Sequence, residues 1–185
     1  MIKGIIIFLF FFSMYYSPVY ANKKDEIILR LKKTNNLSFD FKQTIKQKTE
    51  KGNCIIKFPK KIFCSYNNVN KKIMVSNGKY LVIKNEREIL YNLYRLEGTP
   101  LEIILDKNYL IQQFKNIKPR VIDNTYTSFL LNSKNYTINI FFDNKSLDLI
   151  GWQTEDIYQN LVITFISNVK INEKINDKKF KLPNN

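Results

Sequence analysis

The sequence predicts a mainly β fold with a few helices. It reads as one antiparallel sheet of eight or more strands, curled into a barrel or split into a sandwich, with short helices over its open mouth. Three observations predict this. Apolar and polar residues alternate with period two along much of the chain. Turn signals punctuate the alternation at Pro59-Lys60-Lys61, Asn77-Gly78 and Asp143-Asn144-Lys145. Helical periodicity is confined to one stretch near the start and one in the middle.

The elements follow in order. Lys3, the apolar run Ile5 to Phe12 and "SMYYSPVYA" read as a signal peptide over residues 1–21, cleaved after Ala21. The run falls short of the roughly 20 residues a membrane span needs, so one exported domain over residues 22–185 is expected. In "KKDEIILRLKKTNN", Ile27, Ile28 and Leu31 form a helical stripe that Asn35-Asn36 ends. In "LSFDFKQT" the period changes: Leu37, Phe39 and Phe41 face one way, and Ser38, Asp40 and Lys42 the other.

"GNCIIKFPKKIFCSYN" is a hairpin in which Cys54, Ile56 and Phe58 share a face with Ile62, Cys64 and Tyr66. Pro59 sits at its turn, where it forfeits no ladder bond. "KKIMVSNGKYLVIKN" gives two strands about Asn77-Gly78, and "EILYNLYRL" gives another. "GTPLEIILDKN" is a helix with Thr99 as N-cap, Pro100 at the first position and Glu102 in the first turn. "YLIQQF" extends it by a turn or two, and the pattern from Lys107 to Lys134 fixes nothing further. "INIFFDNKSLDLIGW" supplies two strands, "NLVITFISNVKI" one, and "KKFKLP" a last edge strand.

Composition narrows the function classes. The formal net charge is +14, from 30 Lys+Arg against 16 Asp+Glu. Yet the arginines, which bind phosphate bidentately, are only Arg30, Arg87, Arg95 and Arg120, and the lysines are scattered. A nucleic-acid partner is therefore not expected. The chain has no histidine, no G-x-x-x-x-G-K loop and no C-x-x-C pair. Its tightest acidic pair, Glu155-Asp156, falls in the hairpin loop "QTEDIYQN" and reads as a solvated turn. Neither an enzyme nor a metal or cofactor is expected. The two cysteines either pair across the hairpin, which export permits, or lie reduced in the core.

These segments resemble, in order and over essentially the whole mature length, the periplasmic outer-membrane lipoprotein carrier family of LolA type. "LSFDFKQ" resembles its early F-x-Q strand through Phe41 and Gln43, and "KGNCIIKFPKKIFCSY" its first hairpin with a proline turn. "IMVSNGKYLVIKN" resembles its "LVSDGK-x-L-W" hairpin through Val75, Ser76, Gly78, Lys79 and Leu81. "GTPLEIIL", "YTINIFFD" and the closing Phe180-to-Pro183 segment complete the series.

The resemblance implies an incomplete antiparallel β-barrel whose short helices form a lid over an apolar cavity. It implies a periplasmic monomer that takes triacylated lipoproteins from an inner-membrane lipoprotein-releasing ABC transporter to an outer-membrane lipoprotein receptor. Phe39, Phe41, Cys54, Ile56, Phe58, Ile62, Cys64, Leu81 and Ile83 would line the cavity, under a lid faced by Leu101, Ile104 and Leu105.

Two positions depart from the family pattern. Phe58 stands where an arginine commonly hydrogen-bonds the lid shut, and Cys64 where a tryptophan or phenylalanine is usual. Apolar closure, or a Cys54–Cys64 bridge stiffening the hairpin, would then replace the polar latch. The family's membrane-anchored receptor needs a lipobox cysteine after the leader, and residue 22 is Asn. A carrier of another amphiphile, a fatty acid or glycolipid, shares every other feature.

Overall fold

A long alternating strand near each end of the chain, β1 (Asn36–Ile45) and β11 (Leu161–Ile171), pair antiparallel at the centre of one sheet. The computed structural model describes residues 23–86, 88, 91–133, 136–156 and 158–183; the leader read over residues 1–21 lies outside them.

On one side of β1 run β2 (Lys48–Lys57), β3 (Lys61–Tyr66), β4 (Ile73–Asn77), β5 (Tyr80–Lys84) and β6 (Asn92–Arg95). On the far side of β11 run β10 (Leu149–Glu155), β9 (Thr137–Asp143), β8 (Tyr126–Asn132) and β7 (Arg120–Ile122). All pairings are antiparallel, and β6 and β7 end the sheet without meeting, so the barrel is incomplete. Both edges are short, and β6 is exposed along its whole length, which limits unwanted strand addition.

The concave face holds the core, and three helices cover it. α1 (Lys23–Lys33) buries the stripe Ile27, Ile28 and Leu31, with Asp25 and Glu26 in its first turn and Arg30, Lys32 and Lys33 in its last, an arrangement that complements the helix dipole. α2 (Pro100–Leu105) starts at Thr99, whose Oγ1 accepts from Glu102 N at 3.3 Å. Asp106 ends it and caps α3 (Lys107–Asn116), accepting from Tyr109 N at 3.1 Å. The expected single helix with an extension is thus two helices joined at one residue that caps both. α3 packs against α1 and stacks Phe114 on Phe129 of β8 at 3.9 Å.

Two glycines allow close approaches. A Cβ on Gly52 would stand 2.1 Å from Ser65 O and 2.8 Å from a Phe41 ring carbon, so only glycine leaves room for Phe41 to meet Tyr66 edge-on at 4.9 Å. Gly151 has φ +154° at a register shift between β9 and β10, where a Cβ would stand 2.3 Å from Thr164 O.

The C-terminal segment corrects an expectation. "KKFKLP" adds no edge strand: Asp177–Phe180 is a short 3-10 helix, capped by Asn176 and packed against β3 and β4. Lys57 reaches Asp177 at 2.6 Å. The 3-10 turn seats the Phe180 ring in the core, at 3% exposure.

Candidate functional site

The β2–β3 hairpin turns through Phe58-Pro59-Lys60 with a cis peptide before Pro59. Its register sets Cys54 opposite Cys64 and Ile56 opposite Ile62. The two sulfurs are bonded, 1.98 Å apart. Beyond it, Cys64 pairs with Met74, Met74 with Ile83, Ile62 with Ser76, and Ser76 with Leu81. Period two therefore aims a contiguous set from β1 to β5 at one space. α2 lies over it.

That space is a cavity of about 430 Å³, a size usual for small-ligand pockets. Among the residues singled out from sequence, Phe41, Cys54, Ile62, Cys64, Leu81 and Ile83 line it, with Leu101 and Ile104 from α2. Ile56 and Phe58 instead border a separate void of about 20 Å³ beneath α1 and α3, which Ile104 also touches. Phe39 and Leu105 are buried in the surrounding core without lining the cavity.

The sequence reading missed the wall across from the hairpin, Trp152, Thr154, Val162 and Thr164, and Gln43, Glu50 and Lys72 at one end. Gln43 and Ile45 continue the period of Phe41, so that signal was present. Trp152 and Thr154 follow the register shift at Gly151, whereas Val162 and Thr164 are set at the cavity by their pairing with Ile45 and Gln43 of β1.

Polar contacts fasten α2 to the hairpin. Lys60 Nζ lies 2.8 Å from Glu102 Oε1 and 3.5 Å from Asp106 Oδ2, and Lys60 N donates to Leu105 O at 2.8 Å. The hydrogen bond to Glu102, opposed by burial, leaves the Lys60 ammonium above its ordinary range. Ser76 Oγ donates to Lys60 O at 3.1 Å, steadying the turn from β4. The polar side-chain contact between the hairpin tip and α2 is made by Lys60, the residue after the proline, and not by Phe58.

At the other end, Lys72 donates to Glu50 and sits 3.8 Å over the Tyr66 ring. Burial, and then the Glu50 charge, push the Tyr66 phenol up to about 12. Of the acidic pair, Glu155 is the last residue of β10 and Asp156 follows it. Asp156 accepts from Tyr158 N and from the backbone and side chain of Asn160, and the Asn160 contacts hold its carboxyl below the usual range. Among the described residues no acidic or cysteine cluster is arranged to hold a metal.

The family model for the outer membrane lipoprotein carrier protein LolA matches residues 32–183. The chain belongs to this family. Comparison with curated proteins by sequence gives no match. Among solved structures, the chain is similar to an uncharacterized conserved protein from Thermus thermophilus, at 7% identity and TM-score 0.51, over 88% of this chain and 95% of that one. A LolA superfamily protein from Nitrosomonas europaea aligns at 8% identity and TM-score 0.47, over 88% and 99%. A putative outer membrane lipoprotein-sorting protein domain from Vibrio parahaemolyticus aligns at 9% and 0.45, over 86% and 97%. At such identities the Thermus likeness speaks for the fold alone.

In this LolA-family chain the hairpin is bound twice, covalently to itself at Cys54–Cys64 and by Lys60 to α2. The bridge fixes the β2–β3 spacing in the cavity wall.

Proposed function

We propose that this LolA-family protein is an exported periplasmic carrier that holds the acyl chains of lipoproteins in its cavity. In this reading residues 1–21 are a cleaved leader and residues 22–185 one monomeric domain. The cargo passes from an inner-membrane lipoprotein-releasing ABC transporter to an outer-membrane receptor. The observation that carries the reading is the cavity of about 430 Å³ between an apolar sheet wall and a short helix, in a chain of this family.

The energetics suit the task. Hydrating acyl chains costs about 0.8 kcal/mol per methylene, so three long chains exposed to water cost on the order of 30 kcal/mol. The Lys60 contacts that hold α2 over the cavity are partly exposed and weak enough to break as cargo enters.

Native mass spectrometry of the mature protein with a triacylated lipopeptide tests this. A one-to-one complex with the lipopeptide, and none with its deacylated form, is expected. Retention of a free fatty acid or glycolipid in preference to the lipopeptide would make it a carrier of another amphiphile. Failure to bind any amphiphile would remove the carrier reading.

A further inference from the structure

The convex face of the sheet, opposite the cavity, carries a row of its own. Lys51 of β2, Lys42 of β1, Phe165 of β11, Gly151 of β10 and Phe141 of β9 stand in register across it, and beyond Ser128 of β8 the row ends at Arg120 of β7. With no side chain at its centre, the row holds a pit of about 160 Å³ over Gly151, walled by Phe141 and Phe165 with Ile163 and Gln153 beside them. Tyr126 meets Phe141 edge-on at 6.1 Å, and Phe165 is 60% exposed. Neither ring closes over the glycine.

Elsewhere on this face the chain covers its own apolar residues. Val75 and Val82 pair there and are buried where the Asp177–Phe180 turn packs against β3 and β4. Among the described residues nothing covers the row through Gly151.

Charge says what fits it. Lys42 and Lys51 are exposed at one end and Arg120 at the other, and none of the three makes an ion pair among the described residues. The carboxylates of these strands on the same face stand off the row. Asp40 accepts from Asn168 Nδ2 at 2.8 Å, Asp143 accepts from the amides of its own turn, and Glu155 lies at the end of β10.

We propose that this row docks an extended protein segment that carries one large apolar side chain flanked by carboxylates, with the apolar side chain seated between Phe141 and Phe165. The inference is independent of the carrier reading and goes beyond it. Neighbouring strands lie about 4.8 Å apart, so Lys51 and Arg120 each stand roughly 14 Å from the pit, or about four residues of extended chain. Carboxylates at that spacing meet cations that the fold leaves free, while the anchor is desolvated between two rings. An anionic bilayer fits less well. The curl of the incomplete barrel turns Lys51 and Arg120 away from any plane that touches its middle, and a bilayer surface presents nothing shaped to fill the pit.

Fluorescence anisotropy of a labelled peptide, with a central tryptophan and glutamates about four residues to either side, tests this on the mature protein. Binding should weaken about tenfold or more with Phe165→Ser, or with glycine in place of the peptide's tryptophan. Lys42→Gln and Arg120→Gln should each weaken it by about two- to fivefold, and added salt should weaken it further. Lipopeptide binding should be unchanged in all three variants, because the row lies on the other face from the cavity. No peptide binding, or binding indifferent to Phe165→Ser and to the charge changes, overturns the docking site and leaves the carrier reading standing. Tighter binding of anionic vesicles or of a short single-stranded oligonucleotide, lost with the same substitutions, overturns the assignment to a protein segment.

Discussion

Lys60 Nζ stands 2.8 Å from Glu102 Oε1 and 3.5 Å from Asp106 Oδ2, so one side chain at a hairpin tip fastens the first turn and the C-cap of the helix over the cavity. Lys60 and Glu102 are only partly covered, with side-chain exposures of 33% and 23%. Such a pair is worth about 0.2–1 kcal/mol.

Lys60→Met should therefore cost little global stability, within about 1 kcal/mol, while markedly raising amide exchange in Pro100–Leu105. The sign of its pH dependence follows from the raised Lys60 value. The contribution is fully present below the ordinary lysine value of 10.5 and lost as pH rises through the higher folded value. The stability difference between wild type and Lys60→Met should stay level through neutral pH and shrink only above about 10.5. A difference that changes between about pH 6 and 9 would show that another group is responsible.

The bridge has its own magnitude. Cys54 and Cys64 are ten residues apart in sequence, and closing so short a loop stabilises a fold by about 2–3 kcal/mol. The Cys54→Ser, Cys64→Ser double variant should lose about that much in urea unfolding. It should still bind lipopeptide, since the neighbouring wall is unchanged. Unaltered stability would mean that the pair contributes nothing to the wild-type fold in solution.

Cavity polarity is testable at positions that tolerate charge. Met74 and Ile83 are cross-strand partners, half-buried, and line the cavity. Met74→Glu and Ile83→Glu should fold and lose acyl binding, because a carboxylate beside acyl chains is desolvated without a partner. Phe63→Glu, on the opposite face of β3, should retain binding. Equal losses in all three, by lipopeptide titration, would mean that this face of the sheet does not contact the ligand.

Gly52→Ala probes the tightest approach in the hairpin. Its Cβ would stand 2.1 Å from a backbone oxygen, which cannot swing aside as a side chain can. Overpacking of this kind costs about 1–3 kcal/mol. Gly98, with nothing within 4 Å of a Cβ, has no such clash, though its φ of +80° still disfavours alanine. Thermal melting should rank Gly52→Ala as the worse of the two.

Sequence by itself determined the elements whose cause is local. Period two placed β1 to β5, the Asn77-Gly78 turn joined β4 to β5, and Thr99-Pro100 began α2, because each depends on residues within a few positions. The apolar set around the β2–β3 hairpin was legible for the same reason, and six of the nine expected wall residues line the cavity. The β7–β8 hairpin went unread, although Asp123 and Asn124 both take positive φ there, a backbone state those residue types favour.

Tertiary structure alone decided how those elements meet. The β1–β11 pairing that joins the two halves of the sheet links residues more than a hundred positions apart. It places Thr154 and Thr164 opposite the hairpin. Lys60 meets α2 because the hairpin tip and the helix converge there, and Ile56 and Phe58 fell outside the cavity because the helices divide the space beneath them. Alternation says which side chains share a face; only the packed helices decide which part of that face stays open.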